Sequence, residues 1–177
     1  LAILREGRPR RSNLRDEVLK ANDTLLVQGR LEGLEALKDN PDFTGFRATP
    51  ISRLTDVYRL RERLLAMRIT PAAVLIGKTL KKSRLGDALG MSVLYILRGD
   101  TTLPMPGPDE SLRAGDLLIV LGRLEDMLIL SGLEGLHAEQ AGLPDIKALE
   151  SARVGLVEAI LSPRTTLAGK TLRQLNF

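Results

Sequence analysis

The residues with the clearest chemical potential are a glycine, a lysine and a threonine that occur together twice. Residues 76–80 read IGKTL and residues 168–172 read AGKTL. A phosphate-binding loop has the pattern G-x-x-x-x-G-K-[ST], in which the first glycine lets backbone amides close around a phosphate. Ala72 and Arg164 stand where that glycine belongs, and no acid follows a strand where a magnesium ligand is needed. Nucleotide hydrolysis is therefore excluded as an interpretation of this motif.

The alternative is a structural role for the motif. In each copy the glycine is expected to begin a short helix, which the threonine helps to cap. The central helix is predicted over residues 78–85. The structural residues of the two copies are Gly77, Lys78, Thr79, Gly169, Lys170 and Thr171.

A second repeated feature is an aspartate directly before an apolar run. Gly115-Asp116 precedes one run and Asn22-Asp23 precedes the other. Glycine and asparagine tolerate positive φ best, so each pair predicts a tight turn in which the aspartate accepts hydrogen bonds from backbone amides. Neither aspartate has a partner carboxylate or histidine at a matching position, so a catalytic acid is not indicated.

Two arginines occupy equivalent positions at the ends of apolar runs. Arg98 follows residues 94–97, and Arg5 follows residues 1–4. A guanidinium at the end of a strand is either solvated or serves as a ligand for an anion at an interface. The sequence leaves both interpretations open.

The composition excludes most catalytic and metal chemistries. Cysteine is absent, which rules out disulfides and thiolate metal sites, and His137 is the single histidine. No metal site and no enzymatic activity is therefore predicted. The net charge of +4 fits an anionic partner, a nearby anionic membrane or a compositional bias towards arginine. Aromatic residues make up 3% of the chain, too few for a face that stacks bases, so no nucleic-acid partner is predicted.

The repeats organise the chain into two modules, one of which is cut in two. Residues 60–133 hold one complete module. The second module consists of residues 152–177 followed by residues 1–42, and residues 43–59 and 134–151 are predicted to be linkers. Neighbouring repeats and a single permuted or nicked module both account for this arrangement. The prediction that follows is that the two ends pair in one sheet, within this chain or by exchange with another copy.

Short apolar runs and turn residues predict the elements of each module. Residues 94–97, 1–4, 24–27 and 117–121 are predicted strands. Residues 54–65 could form a helix, but residues 64–69 could equally start the first strand of the central module. Residues 123–130 are predicted to form the closing helix. The fold class is α+β: two modules, each a small, mostly antiparallel sheet with short helices. No stretch reaches the roughly 18 apolar residues of a membrane span, so the chain is expected to be soluble and, since it does not begin with methionine, part of something longer.

The combined pattern resembles a known family. The series P-x-x-x-L-x-G-K-T-L, an apolar strand ending in arginine, and L-x-x-[GN]-D-x-L-x-V-x-G is similar to the TrkA-C domain. This domain is the C-terminal subdomain of the regulators of potassium conductance (RCK). Tandem TrkA-C modules also occur in the cytosolic loop of transporters similar to the divalent anion:sodium symporters, which the REG turn at Arg5 and the GRLE endings resemble most.

The resemblance implies a cytosolic regulatory region of an ion or anion transporter, such as a potassium transporter, at the cytoplasmic face of the cell membrane. It implies a homodimer, with the transmembrane part in the same polypeptide. Some members bind a small anionic ligand such as cyclic di-adenosine monophosphate between protomers. The alternative is a purely structural dimerisation module without a ligand. The residues that the resemblance assigns to a ligand are Arg98, Arg5, Tyr95, Ile96 and Ile3.

Overall fold

A computed structural model shows the chain divided into two compact units. The terminal unit joins Leu1–Arg59 to Ile146–Phe177, and the central unit is Leu60–Asp145. The structure describes residues 2–11, 14–86, 91–123, 136–139 and 154–175.

Ten strands and three short α-helices lie within the described residues. The strands are β1 (Ala2–Arg5), β2 (Arg8–Arg10), β3 (Thr24–Arg30), β4 (Phe43–Ala48), β5 (Leu64–Ile69), β6 (Ser92–Arg98), β7 (Thr101–Pro104), β8 (Leu117–Leu121), β9 (Leu136–Glu139) and β10 (Val154–Leu161). The helices are α1 (Leu31–Ala36), α2 (Ile51–Asp56) and α3 (Leu80–Ser83). The predicted α+β class is confirmed.

Each unit contains one five-stranded antiparallel sheet. The strand order is β2-β1-β3-β10-β4 in the terminal unit and β7-β6-β8-β5-β9 in the central unit. Repeated sequences occupy the same positions in the two sheets. The segments predicted as strands before the two arginines, β1 and β6, are both second in order.

The terminal sheet is assembled from both ends of the chain. Strand β10 pairs with β3 from Val154 opposite Arg30 to Ile160 opposite Thr24, and with β4 on its other side. Loop contacts extend this pairing, since the amide of Leu161 donates to the carbonyl of Asp23 over 2.8 Å. The two ends thus pair within one chain. The module bounds themselves, 60–133 and 152–177 plus 1–42, stay predictions.

The alternation of side chains along the strands explains the core. In β8 all five residues are buried, and Leu118 and Val120 join Met67 and Ile69 of β5 in one apolar cluster. The terminal unit has the corresponding cluster around Ile3, with Leu25 and Ala159 among its members. Side chains at alternate positions point to one face of a sheet, so short Leu-, Ile- and Val-rich runs suffice to build both cores.

The prediction that residues 43–59 and 134–151 are linkers is partly wrong. In residues 43–59, β4 forms the edge of the terminal sheet and α2 follows it. The rings of Phe43 and Phe46 lie 5.3 Å apart and pack on the terminal core. In residues 134–151, β9 pairs with β5. An edge strand is short and pairs on one side only, so its pattern in the sequence is weak. In β4, Gly45 and the neighbouring prolines weaken that pattern further.

The helices also differ in extent from the prediction. Residues 54–65 contain the end of α2, a 3₁₀ turn (Leu60–Glu62) and the start of β5. The helix predicted over residues 78–85 is the shorter α3. After Gly169 the predicted helix is absent, because residues 172–175 form turns and Gln174 accepts the Thr171 amide through its side chain. The closing helix predicted over residues 123–130 lies, apart from residue 123, outside the described residues.

Candidate functional site

In the central unit, a cluster of polar groups surrounds Arg98, at the end of β6. Its Nε donates to Asp116 Oδ1 and its Nη2 to Asp116 Oδ2, both over 2.9 Å, which is a bidentate fork. Its Nη1 donates to Glu110 Oε1 over 2.9 Å, and its Nη2 also donates to the Ser111 carbonyl over 2.8 Å. One guanidinium therefore ties the strand end to the loop that leads into β8.

The terminal unit contains the same cluster around Arg5, at the end of β1. Arg5 donates to both carboxylate oxygens of Asp23 over 2.8 Å, to Glu17 Oε1 over 2.9 Å and to the Val18 carbonyl over 2.8 Å. The sequence separations of 18, 12 and 13 residues match those around Arg98. The repeat thus extends to individual donor and acceptor atoms.

The aspartates are the most buried members of these clusters. The side chains of Asp116 and Asp23 are 0% and 1% exposed, whereas those of Arg98 and Arg5 are 21% and 13% exposed. Each aspartate also accepts a backbone amide three residues before it, from Arg113 over 2.9 Å and from Lys20 over 2.8 Å. The two turns have positive φ at the residue before the aspartate, +86° at Gly115 and +66° at Asn22.

The charges of each cluster favour ion pairing within the unit over binding of an external anion. The hydrogen bond with Asp116 raises the pKa of Arg98, and the hydrogen bond with Asp23 raises the pKa of Arg5. Each cluster pairs the guanidinium at its strand end with two carboxylates, and in the terminal unit the guanidinium of Arg10 also lies 3.3 Å from Glu17. An anion would have to displace a carboxylate that is already bound bidentately. The solvated alternative for these arginines is excluded, and binding of a ligand by them stays a prediction.

The G-K-T motifs pair with the segments that precede the capping turns. In the central unit the Gly77 amide donates to the Leu112 carbonyl, and the Leu112 amide donates to the Lys78 carbonyl, both over 2.9 Å. In the terminal unit Gly169, Lys170 and Leu19 make the same two bonds at 2.9 Å. The motif is therefore a structural staple in both units.

The threonines and lysines of the motif have separate roles. Thr79 caps α3 by accepting the Lys82 amide at Oγ1 over 3.2 Å. Thr171 Oγ1 accepts the Gln174 amide over 3.2 Å in a turn that is not helical. The side chains of Lys78 and Lys170 are exposed.

The remaining ligand candidates are buried. Ile96 and Ile3 are 0% and 1% exposed and belong to the two cores. Tyr95 is 3% exposed, and within the described residues its hydroxyl has no hydrogen-bond partner. Burial raises the pKa of Tyr95 to about 12. Since alternate residues of a strand face opposite sides, Tyr95 lies on the face of β6 opposite Arg98.

A buried carboxylate in the terminal unit escaped the sequence analysis. Glu158 of β10 is fully buried and accepts hydrogen bonds from Arg47 of β4, Arg53 of α2 and Tyr58. Burial alone would raise the pKa of Glu158, but the hydrogen bonds from Tyr58 and the two arginines outweigh burial and lower it. These residues are far apart in sequence and Ala66 holds the equivalent position of β5, so neither spacing nor repetition signals the site.

Two further acids were missed although the repeat does signal them. Glu17 and Glu110 precede Leu19 and Leu112 by the same two positions, which a longer comparison of the copies would have found.

His137, the single histidine of the chain, is exposed in β9. Among the described residues, no group of three or more histidine or acidic side chains could hold a metal ion. No helix among them is long and apolar enough to cross a membrane.

Comparison with protein families identifies the class of the central unit. Residues 64–129 match the family model of the TrkA-C domain. This segment includes β5 to β8, the G-K-T staple and the Arg98 cluster. The chain therefore contains a TrkA-C domain, as the sequence patterns predict.

Comparison with curated proteins finds membrane transporters. An uncharacterized transporter of Synechocystis sp. is 32% identical over 126 residues, which cover 68% of this chain and 21% of that protein. Sodium/sulfate cotransporter 1 of Chlamydomonas reinhardtii is 28% identical over 131 residues, which cover 66% of this chain and 15% of that protein. The chain thus spans about a fifth or less of the length of these relatives.

Comparison with solved structures finds RCK domains. The RCK C domain of the potassium transport protein KtrA, in complex with cyclic diadenosine monophosphate, is 22% identical and covers 46% of this chain and 95% of that one, with a TM-score of 0.41. The RCK domain of GsuK is 26% identical and covers 46% of this chain and 19% of that one, with a TM-score of 0.35.

Proposed function

We propose that this chain is a regulatory region of a membrane ion or anion transporter, acting by binding and dimerisation at the cytoplasmic face of the membrane. The observation that carries the proposal is the similarity to a transporter over 68% of this chain, which amounts to 21% of that transporter. A region of this size with a TrkA-C domain at its centre is an accessory to the membrane part, which we place in the same polypeptide.

The polar clusters support a role without catalysis. Arg98 and Arg5 are held by buried aspartates, and the G-K-T motifs close loops. Groups that act in catalysis need an accessible position and a partner that changes protonation or attacks a substrate. The geometry of the two clusters instead serves rigidity, which a module that transmits binding to a transporter requires.

The proposed ligand is a small anion such as a cyclic dinucleotide, and thermal unfolding tests it. A ligand at 100 times its Kd stabilises a protein by about 2.7 kcal/mol, which raises the Tm of a chain of this size by roughly 5–10 °C. The chain is screened against cyclic dinucleotides, mononucleotides, sulfate and dicarboxylates, with chloride at equal ionic strength as the control. An increase in Tm produced by only one class of compound would identify the class of ligand that the region binds.

Sedimentation in the same conditions separates the proposal from its alternative. A dimer whose stability responds to a ligand supports a sensing module. A dimer that responds to none of the compounds supports the purely structural dimerisation module. A monomer without any thermal shift contradicts both.

A further inference from the structure

The segment that contains the central G-K-T motif exposes both apolar and basic side chains. Ala73 and Leu75 point into the core and are 6% and 5% exposed, whereas Val74 and Ile76 point outwards and are 53% and 40% exposed. Within the described residues, these two are half of the large hydrophobic side chains that are exposed. The inward residues hold the segment, so the outward ones are displayed in a defined position.

Four cations continue this surface. Lys78, Lys81, Lys82 and Arg84 are exposed, and none of them has an ion pair among the described residues. Among the described residues, two acids lie close by. Asp109 is exposed and follows Pro108, whose carbonyl accepts the Lys81 amide over 2.8 Å. Glu110, whose carboxylate is paired with Arg98, accepts the Leu80 amide at its carbonyl over 2.9 Å. We name this the 74–84 surface, formed by Val74, Ile76, Lys78, Lys81, Lys82 and Arg84.

The equivalent segment of the terminal unit lacks these properties. Thr166 and Ala168 stand at the positions of Val74 and Ile76, and Gln174 stands at the position of Lys82. The counterpart of Lys81 is Arg173, which is paired with Asp16 over 2.8 Å. Thr166 is held by a second carboxylate, that of Asp42. The two segments share a backbone role, so the shared fold does not account for the apolar and basic character of one of them.

We propose that the 74–84 surface docks on an anionic lipid bilayer. Lysine and arginine side chains near a surface of acidic headgroups each contribute about five-fold in affinity, or about 1 kcal/mol. Aliphatic side chains beside them enter the headgroup boundary, where burial of apolar area adds to binding. Two exposed aliphatic residues and four exposed cations, none of them in an ion pair with another described residue, complement such a surface in both respects. This inference goes beyond the proposed function and does not depend on a ligand.

Vesicle sedimentation of the 177-residue chain tests the proposal. Vesicles of phosphatidylcholine alone are compared with vesicles that also contain phosphatidylglycerol. We expect binding to the acidic vesicles only, and we expect it to weaken as the Debye length falls from about 10 Å at 0.1 M salt to about 3 Å at 1 M.

The repeat supplies the substitutions. K82Q/R84N exchanges two cations for the residues of the terminal copy and is expected to reduce affinity about 25-fold, from about five-fold for each charge. V74T/I76A makes the corresponding apolar exchange and is expected to reduce binding without changing its dependence on salt. All four side chains are exposed, so thermal unfolding should be unchanged.

A matched control separates a local surface from net charge. R164Q/K170Q removes two exposed cations from the equivalent segment of the terminal unit and should leave vesicle binding unchanged. Equal losses in the two charge variants would overturn the proposal, as would equal binding to neutral vesicles or no binding at low salt. A change in oligomeric state on V74T/I76A, without vesicle binding in the parent chain, would assign this surface to a second copy instead and would also overturn it.

Discussion

At the scale of single residues, each unit contains a polar cluster around one strand-end arginine. A bidentate fork to a nearly fully buried carboxylate uses two of the five N–H donors of the arginine, and a carbonyl and a second acid accept from two of the other three. Such pairs add little when compared with an apolar replacement, but removing one partner leaves a desolvated charge. The buried aspartates are therefore the residues on which each unit depends.

Asp116→Asn is expected to destabilise the central unit by about 2 kcal/mol, because one arm of the fork loses its acceptor. Urea unfolding followed by tyrosine fluorescence in a Tyr58→Phe background measures this. Tyr58, the second of the two tyrosines, is in the terminal unit, so the remaining signal comes from Tyr95 in the central unit. Asp109→Asn is the control, because Asp109 is exposed and has no ion pair among the described residues. An effect of equal size in both variants would refute the role assigned to Asp116.

The two tyrosines should respond oppositely to loss of their hydroxyls. Tyr95→Phe is expected to leave stability unchanged or to increase it, because the buried hydroxyl has no partner within the described residues. Tyr58→Phe is expected to cost about 1–3 kcal/mol, because it removes a donor from buried Glu158. Thermal unfolding of the two variants makes the comparison, and a loss at Tyr95 as large as that at Tyr58 would contradict it.

The buried Glu158 should make the terminal unit sensitive to acid. The pKa of Glu158 is lowered in the folded chain, so its contribution is present above its unfolded pKa of about 4.5 and is lost as the pH falls through the lower folded value. The Tm difference between the parent chain and Glu158→Gln should therefore shrink below about pH 4.5. A difference that stays constant from neutral to acidic pH would rule out this linkage.

At the scale of elements, the staple and the capping turn organise each sheet. The turn presents an aspartate to the arginine of the neighbouring strand, while the G-K-T segment pairs with the residues before the turn. Because positive φ is required at Gly115 and Asn22, the turn tolerates few residue types. The aspartate of each pair, Asp116 or Asp23, then leads directly into a buried strand.

Gly115→Ala tests the backbone requirement at the turn. A methyl group at Gly115 meets nothing within 4 Å, so any loss comes from the φ of +86°. Left-handed backbone costs an L-residue about 1–2 kcal/mol, and we expect a loss of that size in urea unfolding. Gly107→Ala, also in open space but without a positive φ, should have a much smaller effect. Equal losses at the two positions would exclude backbone strain as the cause.

At the scale of the whole molecule, the terminal unit depends on pairing between distant segments. Strand β10 lies between β3 and β4, so its removal would leave β4 unpaired and β3 paired only with β1. Unpaired buried backbone groups cost about 1–3 kcal/mol each. The stability of this unit should therefore depend on the contact between residues 154–161 and residues 24–30.

A double cysteine variant, Val27→Cys with Val157→Cys, tests this pairing directly. The two valines are opposite each other and both are half-buried, and the chain has no natural cysteine. Opposed residues of antiparallel strands lie within the Cα separation that a disulfide requires. Oxidation should give a monomeric cross-linked species on a non-reducing gel. Disulfide-linked dimers in its place would show exchange of β10 between two copies.

The sequence alone determined the repeated units of this fold, because their signals are local. Apolar runs, turn residues with positive φ and the spacing of G-K-T predict β1, β3, β6 and β8 and the capping roles of Asp116 and Asp23. The TrkA-C resemblance rested on the same local patterns. The pairing of the two chain ends was also predictable, since a module cut in two leaves its strands without partners.

Only the tertiary structure decided where the arginines point and which strands complete the sheets. The sequence around Arg98 would be the same whether its side chain faced water, an anion or Asp116. Which of these it contacts depends on what the fold brings close to it. The edge strands β4 and β9 are stabilised by pairing with β10 and β5, which no local pattern records. The Glu158 site depends on three segments far apart in sequence, and burial determines its chemistry. Contacts between distant residues set these features, so a reading of local patterns does not reach them.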